Sequence, residues 1–424
     1  MKSEKLLMVT TAYPFGHGEA FVEAELKHIA DYFEQVEVVP CCYKDGIEPR
    51  KMKQTINLDY VSKRWSFFRK FNVLSSLAKA LCTYRWLDDA SRIWRSDHKY
   101  KNFKELARAL YRAQLFKEFL ETQFLKHKNN FDVIYFYWLV PEIMGAIEFR
   151  KNHNLGVKIV SRAHNGDLYE DQHAGYIGLR NGIVAGIDQI YCISDHGKSY
   201  LAERYPSLSK KFHTARLGVN DPGYLNVQPI DDILSIVTCS FVVAGKRLHL
   251  IVDAIDCLLM REPGIKIKWT HIGDGELFGQ LRSNVVKKIG ERAEVIFTGY
   301  LTQSEVLALY CNESFDVIVN VSENEGIPVS LMEASSVGIP MIATNVGGNG
   351  EIVNSDNGIL IAVDATIETI ASSLIFFKDK EVALRYREKA RYYWSKEFSA
   401  PVNYNKFGKK LINNAEYSKL VNTD

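Results

Sequence analysis

Two glutamates eight positions apart, Glu325 and Glu333, bracket a proline in the run EGIPVSLMEASSVGIPMIATNVGG, which extends from Glu325 to Gly348. Residues 315–321 just before it, FDVIVNV, are apolar and rich in β-branched side chains, the composition of a strand buried on both faces of a parallel sheet. Glu325 and Gly326 then fall in the turn at the carboxyl end of that strand. Pro328 has the fixed φ and missing N–H that suit a first helical position, so the sequence predicts a helix over 328–337 that stops at Gly338. The amides of Val329, Ser330, Leu331 and Met332 would open that helix without intrahelical acceptors, above the carboxyl edge of the sheet, where a helix start favours an anion. A diphosphate suits that position. Glu325, outside the helix, would reach hydroxyls beyond the phosphates, and Glu333, one turn further in, hydroxyls on the other side. That pairing points to a sugar at one end and a ribose at the other. Alone, glutamates at this spacing are common and can simply decorate a helix N-terminus.

The whole set is more specific. Ser322, Glu325, Gly326, Pro328, Glu333, Ala334, Gly338, Pro340, Ile342, Ala343, Thr344, Gly347 and Gly348 fall in register with S-x-x-E-G-x-P-x-x-x-x-E-A-x-x-x-G-x-P-V-I-A-T-x-x-G-G, with Met341 in place of the valine. The run thereby resembles the signature of glycosyltransferase family 4, retaining enzymes of GT-B fold. The resemblance implies two Rossmann-like domains facing across a cleft and a nucleotide-diphosphate sugar as donor. It gives Glu325 the sugar hydroxyls, with Gly326, Ile327 and Pro328 in the same pocket, Glu333 the ribose, and the Ser330 and Leu331 amides the phosphates. The family places a lysine where Lys246 stands, to neutralise the departing diphosphate. It also carries an arginine five positions earlier, where this chain has Phe241, and Arg247 is read as the substitute cation; a solvated Lys-Arg pair is the alternative. His164, in SRAHNGDLYED, matches a histidine near the transferred sugar, with Asp167 a secondary candidate. Gly16 and Gly18, in PFGHGE after the first strand, would let backbone approach the phosphates, or form a plain turn. Gly273 in HIGDG matches a strand-to-loop turn, and Tyr300 in GYL would stack on the base or pack.

Transfer from such a donor needs stabilisation of a leaving diphosphate and an oxocarbenium-like sugar, which is electrostatic work for Lys246, Arg247 and the helix amides. No protein nucleophile is expected, and a glycosidase-like carboxylate pair is the wrong template. The chain contains no Asp-x-Asp triplet, so no cofactor and no metal are expected.

With 424 residues, two domains are the natural expectation. A net charge of +2 gives no general affinity for nucleic acid. Seven cysteines without paired spacing argue against a disulfide framework or a zinc site and favour a reducing cytoplasm. The N-terminal apolar stretch is too short for a signal peptide, and no later run has eighteen uninterrupted apolar residues. Strands are predicted over 5–11, 36–40, 133–137 and 157–161, with a helix over 21–33, and again over 234–240, 265–272, 293–297, 315–321 and 340–343. The strand pattern divides the chain at about 218, and the resemblance implies an acceptor-binding half at 1–218, a donor-binding half at 219–395 and a helix over 396–424 crossing back onto the first.

Residues 61–130 read as a helical insertion carrying sixteen Lys and Arg against six Asp and Glu. Trp65, Phe67, Phe68, Phe71, Trp86, Trp94, Phe103, Tyr111, Phe116 and Phe119 interleave with the bases. Such helices suit the surface of an anionic bilayer, where a polyprenyl-diphosphate-linked acceptor would be met, or an ordinary packed layer. PFGHGEAFVEAEL and SRAHNGDLY resemble a bacterial polysaccharide-building branch of family 4, which implies a hexosyltransferase of capsule, exopolysaccharide or O-chain synthesis, UDP-sugars favoured, cytoplasmic and, if the insertion meets the bilayer, peripheral on the inner membrane face. A sugar-nucleotide epimerase or hydrolase of the same fold, and a silent glycan-binding subunit motivated by Phe241, are the alternatives.

Overall fold

The computed structural model describes residues 4–16, 19–42, 47–64, 69–127 and 130–412. They form two compact units, one of the described residues from 4 to 193, 197–215 and 404–412 and the other of residues 194–196 and 216–403.

The first unit is built on seven strands: β1 (Lys5–Thr10), β2 (Gln35–Pro40), β3 (Thr55–Ile56), β4 (Val133–Phe136), β5 (Lys158–Ala163), β6 (Gln189–Cys192) and β7 (Phe212–Thr214). They pair in parallel in the order β3-β2-β1-β4-β5-β6-β7. Alternate residues feed opposite faces. Leu7, Val9, Ile134 and Phe136 enter one apolar layer, and Leu6, Met8, Val133 and Tyr135 enter the other, so these strands read as continuous hydrophobic runs.

The second unit has six strands: β8 (Ile233–Cys239), β9 (Lys266–Ile272), β10 (Glu294–Gly299), β11 (Val317–Asn320), β12 (Met341–Thr344) and β13 (Gly358–Ile361). They are parallel too, in the order β10-β9-β8-β11-β12-β13. The order reverses beside β8, so β11 lies between β8 and β12 at the switch point, where open α/β sheets bind ligands at the strands' carboxyl ends. That juxtaposition brings the loops carrying Lys246, Glu325 and Gly347 together.

Several elements differ from the sequence reading. The first helix is shorter, Ala20–Ile29, and ends in a tighter turn over Ala30–Tyr32. The short strands β3, β6, β7 and β13 were not foreseen. The tail contains two helices, Lys380–Glu397 and Ala400–Leu411, and the rest of it lies outside the described residues.

The insertion between β3 and β4 is helical, with helices Arg69–Thr83, Leu87–Trp94 and Lys99–His127 among its described residues. Its aromatics divide. Phe116 and Phe119 are buried in the first unit's core, Trp86 and Tyr111 pack at its edge, and Trp94 and Phe103 are exposed. Trp65, Phe67 and Phe68 lie outside the described residues, as does the side chain of Phe71. No described helix is long and apolar enough to cross a membrane.

Candidate functional site

The signature helix runs Val329–Ser336, one residue later than expected. Pro328 is its N-cap, with φ −76° and ψ 119°, because its extended ψ keeps it outside the helix. The Pro328 carbonyl accepts the amides of Leu331 at 3.2 Å and Met332 at 3.3 Å. The leading N–H groups are therefore those of Val329 and Ser330, and the Leu331 and Met332 amides are engaged rather than free. At the other end Gly338 takes φ 80°, letting the Ile339 amide reach the Ala334 carbonyl at 2.9 Å, which closes the helix as expected. Leu331, Met332 and Ala334 are fully buried, and Ser335 Oγ donates to the Ala390 carbonyl at 2.8 Å. The helix start is thus held by a packed element rather than a loop.

Glu325 stands just ahead of that helix and is buried. Its Oε1 accepts from Lys246 Nζ at 2.5 Å, Ser322 Oγ at 2.7 Å and Asn320 Nδ2 at 3.0 Å. Three donors on one oxygen fix the carboxylate and leave Oε2 outside this set. Lys246 arrives from the loop after β8, which is tied to the loop after β11 by the Glu323 amide donating to the Gly245 carbonyl at 2.8 Å. The glycine pair explains itself sterically. A Cβ on Gly347, which has φ 51°, would lie 1.7 Å from the Glu325 carbonyl oxygen, and one on Gly348 would lie 2.2 Å from that of Gly326. The two loops meet backbone to backbone, joined by the Gly348 amide donating to the Gly326 carbonyl at 2.8 Å. Ile327 is buried beside them.

Arg247 does not stand with Lys246 as a second cation. Its backbone is left-handed, φ 50°, and its guanidinium donates to the carbonyls of Val321 at 2.8 Å, Val363 at 2.7 Å and Ser322 at 3.5 Å. The Val321 and Ser322 carbonyls begin the loop that carries Glu325 and the Val363 carbonyl follows β13, so Arg247 ties those two segments together and supports the wall of the site instead of facing it.

Glu333 is buried and its Oε1 accepts from Gln303 Nε2 at 2.8 Å. Burial pushes its carboxyl up from 4.5 to about 7, against the opposing pull of the Gln303 amide. Gln303 escaped the sequence reading. It is the first residue of the helix Gln303–Asn312, which is started by a capping box between Thr302 and Glu305, and T-x-x-E was the available signal. Tyr300, just before that cap, is about half exposed. Gly273, φ 139°, gives its amide to the Gly299 carbonyl at 2.9 Å, and a Cβ there would lie 1.9 Å from the Ser240 carbonyl oxygen. The loops after β8, β9 and β10 therefore pack as closely as the glutamate and glycine loops do.

His164 lies in the first unit, at the end of β5, where it caps the short helix Asn165–Leu168. Asp167 accepts the His164 amide at 2.6 Å and the Leu139 amide at 2.7 Å. The imidazole is buried against Tyr137, centroids 4.8 Å apart, and Trp138, 4.4 Å apart. Neither nitrogen has a hydrogen-bond partner, and Nδ1 lies 3.8 Å from Asp167 Oδ2. Gly16 takes φ 69° and its carbonyl accepts from Arg50 Nη2 at 2.9 Å. Gly18 lies outside the described residues.

Residues 234–377 match the family model described as glycosyl transferases group 1. The second unit is a group 1 glycosyltransferase domain. Its matched span contains Lys246, Gly273, Tyr300, Glu325 and Glu333, so the family resemblance and the site coincide. The amylovoran biosynthesis glycosyltransferase AmsK of Erwinia amylovora is 25% identical over 178 residues, 39% of this chain and 42% of that protein. The chain thus spans less than half the length of that relative. Among solved structures, the lipopolysaccharide outer core galactosyltransferase WaaB in its apo form superposes with a TM-score of 0.66 at 17% identity, over 98% of this chain and 99% of that one. Anabaena Alr3699/HepE in complex with UDP superposes with a TM-score of 0.63 at 14% identity, over 96% and 99%. At these identities the likeness establishes the fold, GT-B with two Rossmann-like units, around the group 1 glycosyltransferase domain.

Proposed function

We propose that the protein is a retaining glycosyltransferase that moves a hexose-type sugar from a nucleotide-diphosphate sugar, UDP favoured, to a glycan or polyprenyl-diphosphate-linked saccharide in cell-surface polysaccharide synthesis. The observation that carries this reading is the buried Glu325 carboxylate, four residues ahead of the Val329–Ser336 helix start and paired with Lys246 from the loop after β8. A helix start and a fixed carboxylate within a few residues of chain, with a cation brought to them from a neighbouring loop, suit a diphosphate bearing a polyhydroxyl group. The UDP complex of the Anabaena protein and the polysaccharide-related names of AmsK and WaaB support the donor and the setting.

In this reading the Val329 and Ser330 amides and Lys246 receive the diphosphate, Glu325 the sugar hydroxyls and Glu333 the ribose. His164 is assigned to the transferred sugar by the resemblance alone. The bond between the anomeric carbon and the diphosphate oxygen breaks, and the acceptor hydroxyl oxygen joins that carbon on the same face. The hydroxyl proton passes to the departing phosphate, which leaves as the nucleoside diphosphate. Stabilisation of the leaving charge comes from Lys246 and the helix amides, so no divalent ion is required.

Phe241, 64% exposed where the family carries an arginine, favours one other reading, a silent glycan-binding subunit. Incubation with UDP-sugars and a lipid-linked saccharide separates them. Release of UDP with an α-linked product from an α-linked donor, read by NMR, supports retaining transfer; a β-linked product contradicts it, and no turnover with any donor favours the silent subunit.

Membrane association is the second part of the proposal. Trp94 and Tyr100, 70% and 84% exposed, stand with Arg95, Lys99, Lys101, Lys104 and Arg108 where the helices Leu87–Trp94 and Lys99–His127 meet. Exposed aromatics among bases suit an anionic bilayer. Flotation with anionic vesicles at low salt, lost in a Trp94→Ala, Tyr100→Ala double variant, supports it; absence of flotation by the unaltered protein removes it.

A further inference from the structure

Three loops meet at the carboxyl ends of the adjacent strands β1, β4 and β5 in the first unit, and a carboxylate that the proposed chemistry does not use joins two of them. Glu19 precedes the helix Ala20–Ile29 with left-handed backbone, φ 57°, and makes no side-chain cap to that helix. Its oxygens turn back to the preceding loop instead. Oε2 accepts the amides of Ala12 and Tyr13, each at 2.6 Å, and Oε1 accepts the Thr11 amide at 3.1 Å and the Trp138 indole N–H. Trp138 belongs to the loop after β4, and its ring lies 4.4 Å from the His164 imidazole. Phe21, two residues beyond Glu19, packs against both Tyr137 and Trp138.

Four N–H donors converge on one buried side chain, and only an acceptor-only group can satisfy them all. An amide of the same shape would turn its own N–H2 toward two of those donors. A residue with a Cβ is also held in a conformation that glycine adopts more readily. Both features are unusual for a simple turn, and both are accounted for if the turn must be fixed relative to Trp138.

We propose that Glu19 is a positioning residue, which through the Trp138 indole N–H fixes the location of the His164 imidazole and through three amides fixes the backbone of residues 11–13. This rests on the reading in which His164 serves the transferred sugar. Asp167 supplies the complementary tie, joining the Leu139 amide of the β4 loop to the His164 amide of the β5 loop. The aromatic pair that holds the imidazole is thus anchored on both sides by carboxylates, while Nδ1 faces Asp167 at 3.8 Å and Nε2 has no hydrogen-bond partner.

The test uses the full chain with 13C-labelled histidine, the His164 signal being assigned by its loss in His164→Asn. Glu19→Gln keeps the shape and loses the acceptor, Glu19→Asp keeps the charge, and Trp138→Phe keeps an aromatic ring and loses the N–H. Glu19→Gln and Trp138→Phe should each displace the His164 signal and lower kcat by about 10-fold, with the donor KM changing far less, as expected for a misplaced group. The two together should cost no more than the larger of them, since they break one connection. Glu19→Asp should recover part of the loss. An unmoved His164 signal in Glu19→Gln, or multiplicative losses in the double variant, would overturn the proposal. Should Glu19→Gln fail to fold, Trp138→Phe decides by turnover, since loss of an indole 4.4 Å from the imidazole moves the signal by ring current alone; an unchanged kcat there would overturn the proposal. Should the unaltered protein transfer no sugar, the proposed function fails while the displacement of the His164 signal still decides the positioning.

Discussion

Replacing Glu333 by glutamine should make the protein more stable and its nucleotide site weaker. Burial raises the carboxyl from 4.5 to about 7, so between those values the folded state holds a proton that the unfolded state has released. Stability conferred by the neutral form is complete below the unfolded value, declines as pH rises through that window and levels off above about 7. A tenfold change in proton affinity is worth about 1.4 kcal/mol, so the ionised carboxylate costs up to about 3 kcal/mol of folding free energy. Glutamine never ionises and its carbonyl can still accept from Gln303 Nε2, the contact Glu333 makes at 2.8 Å. Glu333→Gln should therefore match the unaltered protein within about 1 kcal/mol at pH 5 and exceed it by roughly 2–3 kcal/mol at pH 8. The substitution also removes the charged acceptor proposed for the ribose. Losing hydrogen bonds to a charged group, about 1.5–3 kcal/mol, predicts UDP binding weakened by roughly 10- to 100-fold. In the unaltered protein UDP affinity should rise as pH passes through about 7, and in the variant it should stay flat. Urea unfolding followed by circular dichroism at both pH values, with calorimetric titration of UDP, measures each quantity. A variant no more stable at pH 8 than the unaltered protein would rule out a buried, ionised Glu333 as a cost to folding, and one that binds UDP equally well would rule out its contact with the ribose.

Three other substitutions separate roles at the same site. Lys246→Met removes the cation paired with Glu325 and should lower kcat by roughly 100- to 1,000-fold in a UDP-release assay, with little change in melting temperature. Gly347→Ala places a Cβ against the Glu325 carbonyl oxygen at a left-handed position; it should cost about 2–4 kcal/mol on urea unfolding and abolish turnover by displacing Glu325. Arg247→Ala leaves three carbonyls without their donor and should destabilise by about 2 kcal/mol while weakening UDP, measured by calorimetry, less than Lys246→Met does.

The sheets were legible because strands such as β1 and β11 are buried on both faces and so lack polar interruptions. The edge strand β3, two residues long, carries no such run and could not be read. The glutamates and the glycine pair were legible because a helix start, a fixed carboxylate and a backbone-to-backbone contact each demand a particular residue type. What spacing does not encode is which donor a side chain meets. Arg247 sits beside Lys246 in sequence, yet its left-handed backbone sends its guanidinium to Val321 and Val363. Gln303 reaches Glu333 from thirty residues away, and Glu19 gathers donors from two loops that only the strand order makes neighbours. That the Leu331 and Met332 amides donate to the Pro328 carbonyl is likewise not in the spacing, because one residue's ψ, that of Pro328, decides where the helix begins. In the insertion, composition gave the charge, but the packing of Lys99–His127 decides that Phe116 lies in the core and Trp94 in solvent.

The central claim is that the second unit holds a nucleotide-diphosphate sugar through Lys246, Glu325, Glu333 and the start of Val329–Ser336. Its most direct test is thermal unfolding of the protein against UDP-, GDP- and ADP-sugars with excess chelator present. The expected result is a rise in melting temperature selective for one nucleotide family, undiminished by the chelator and reduced in Glu333→Gln. No rise with any of them, or one that requires a divalent ion, would contradict it.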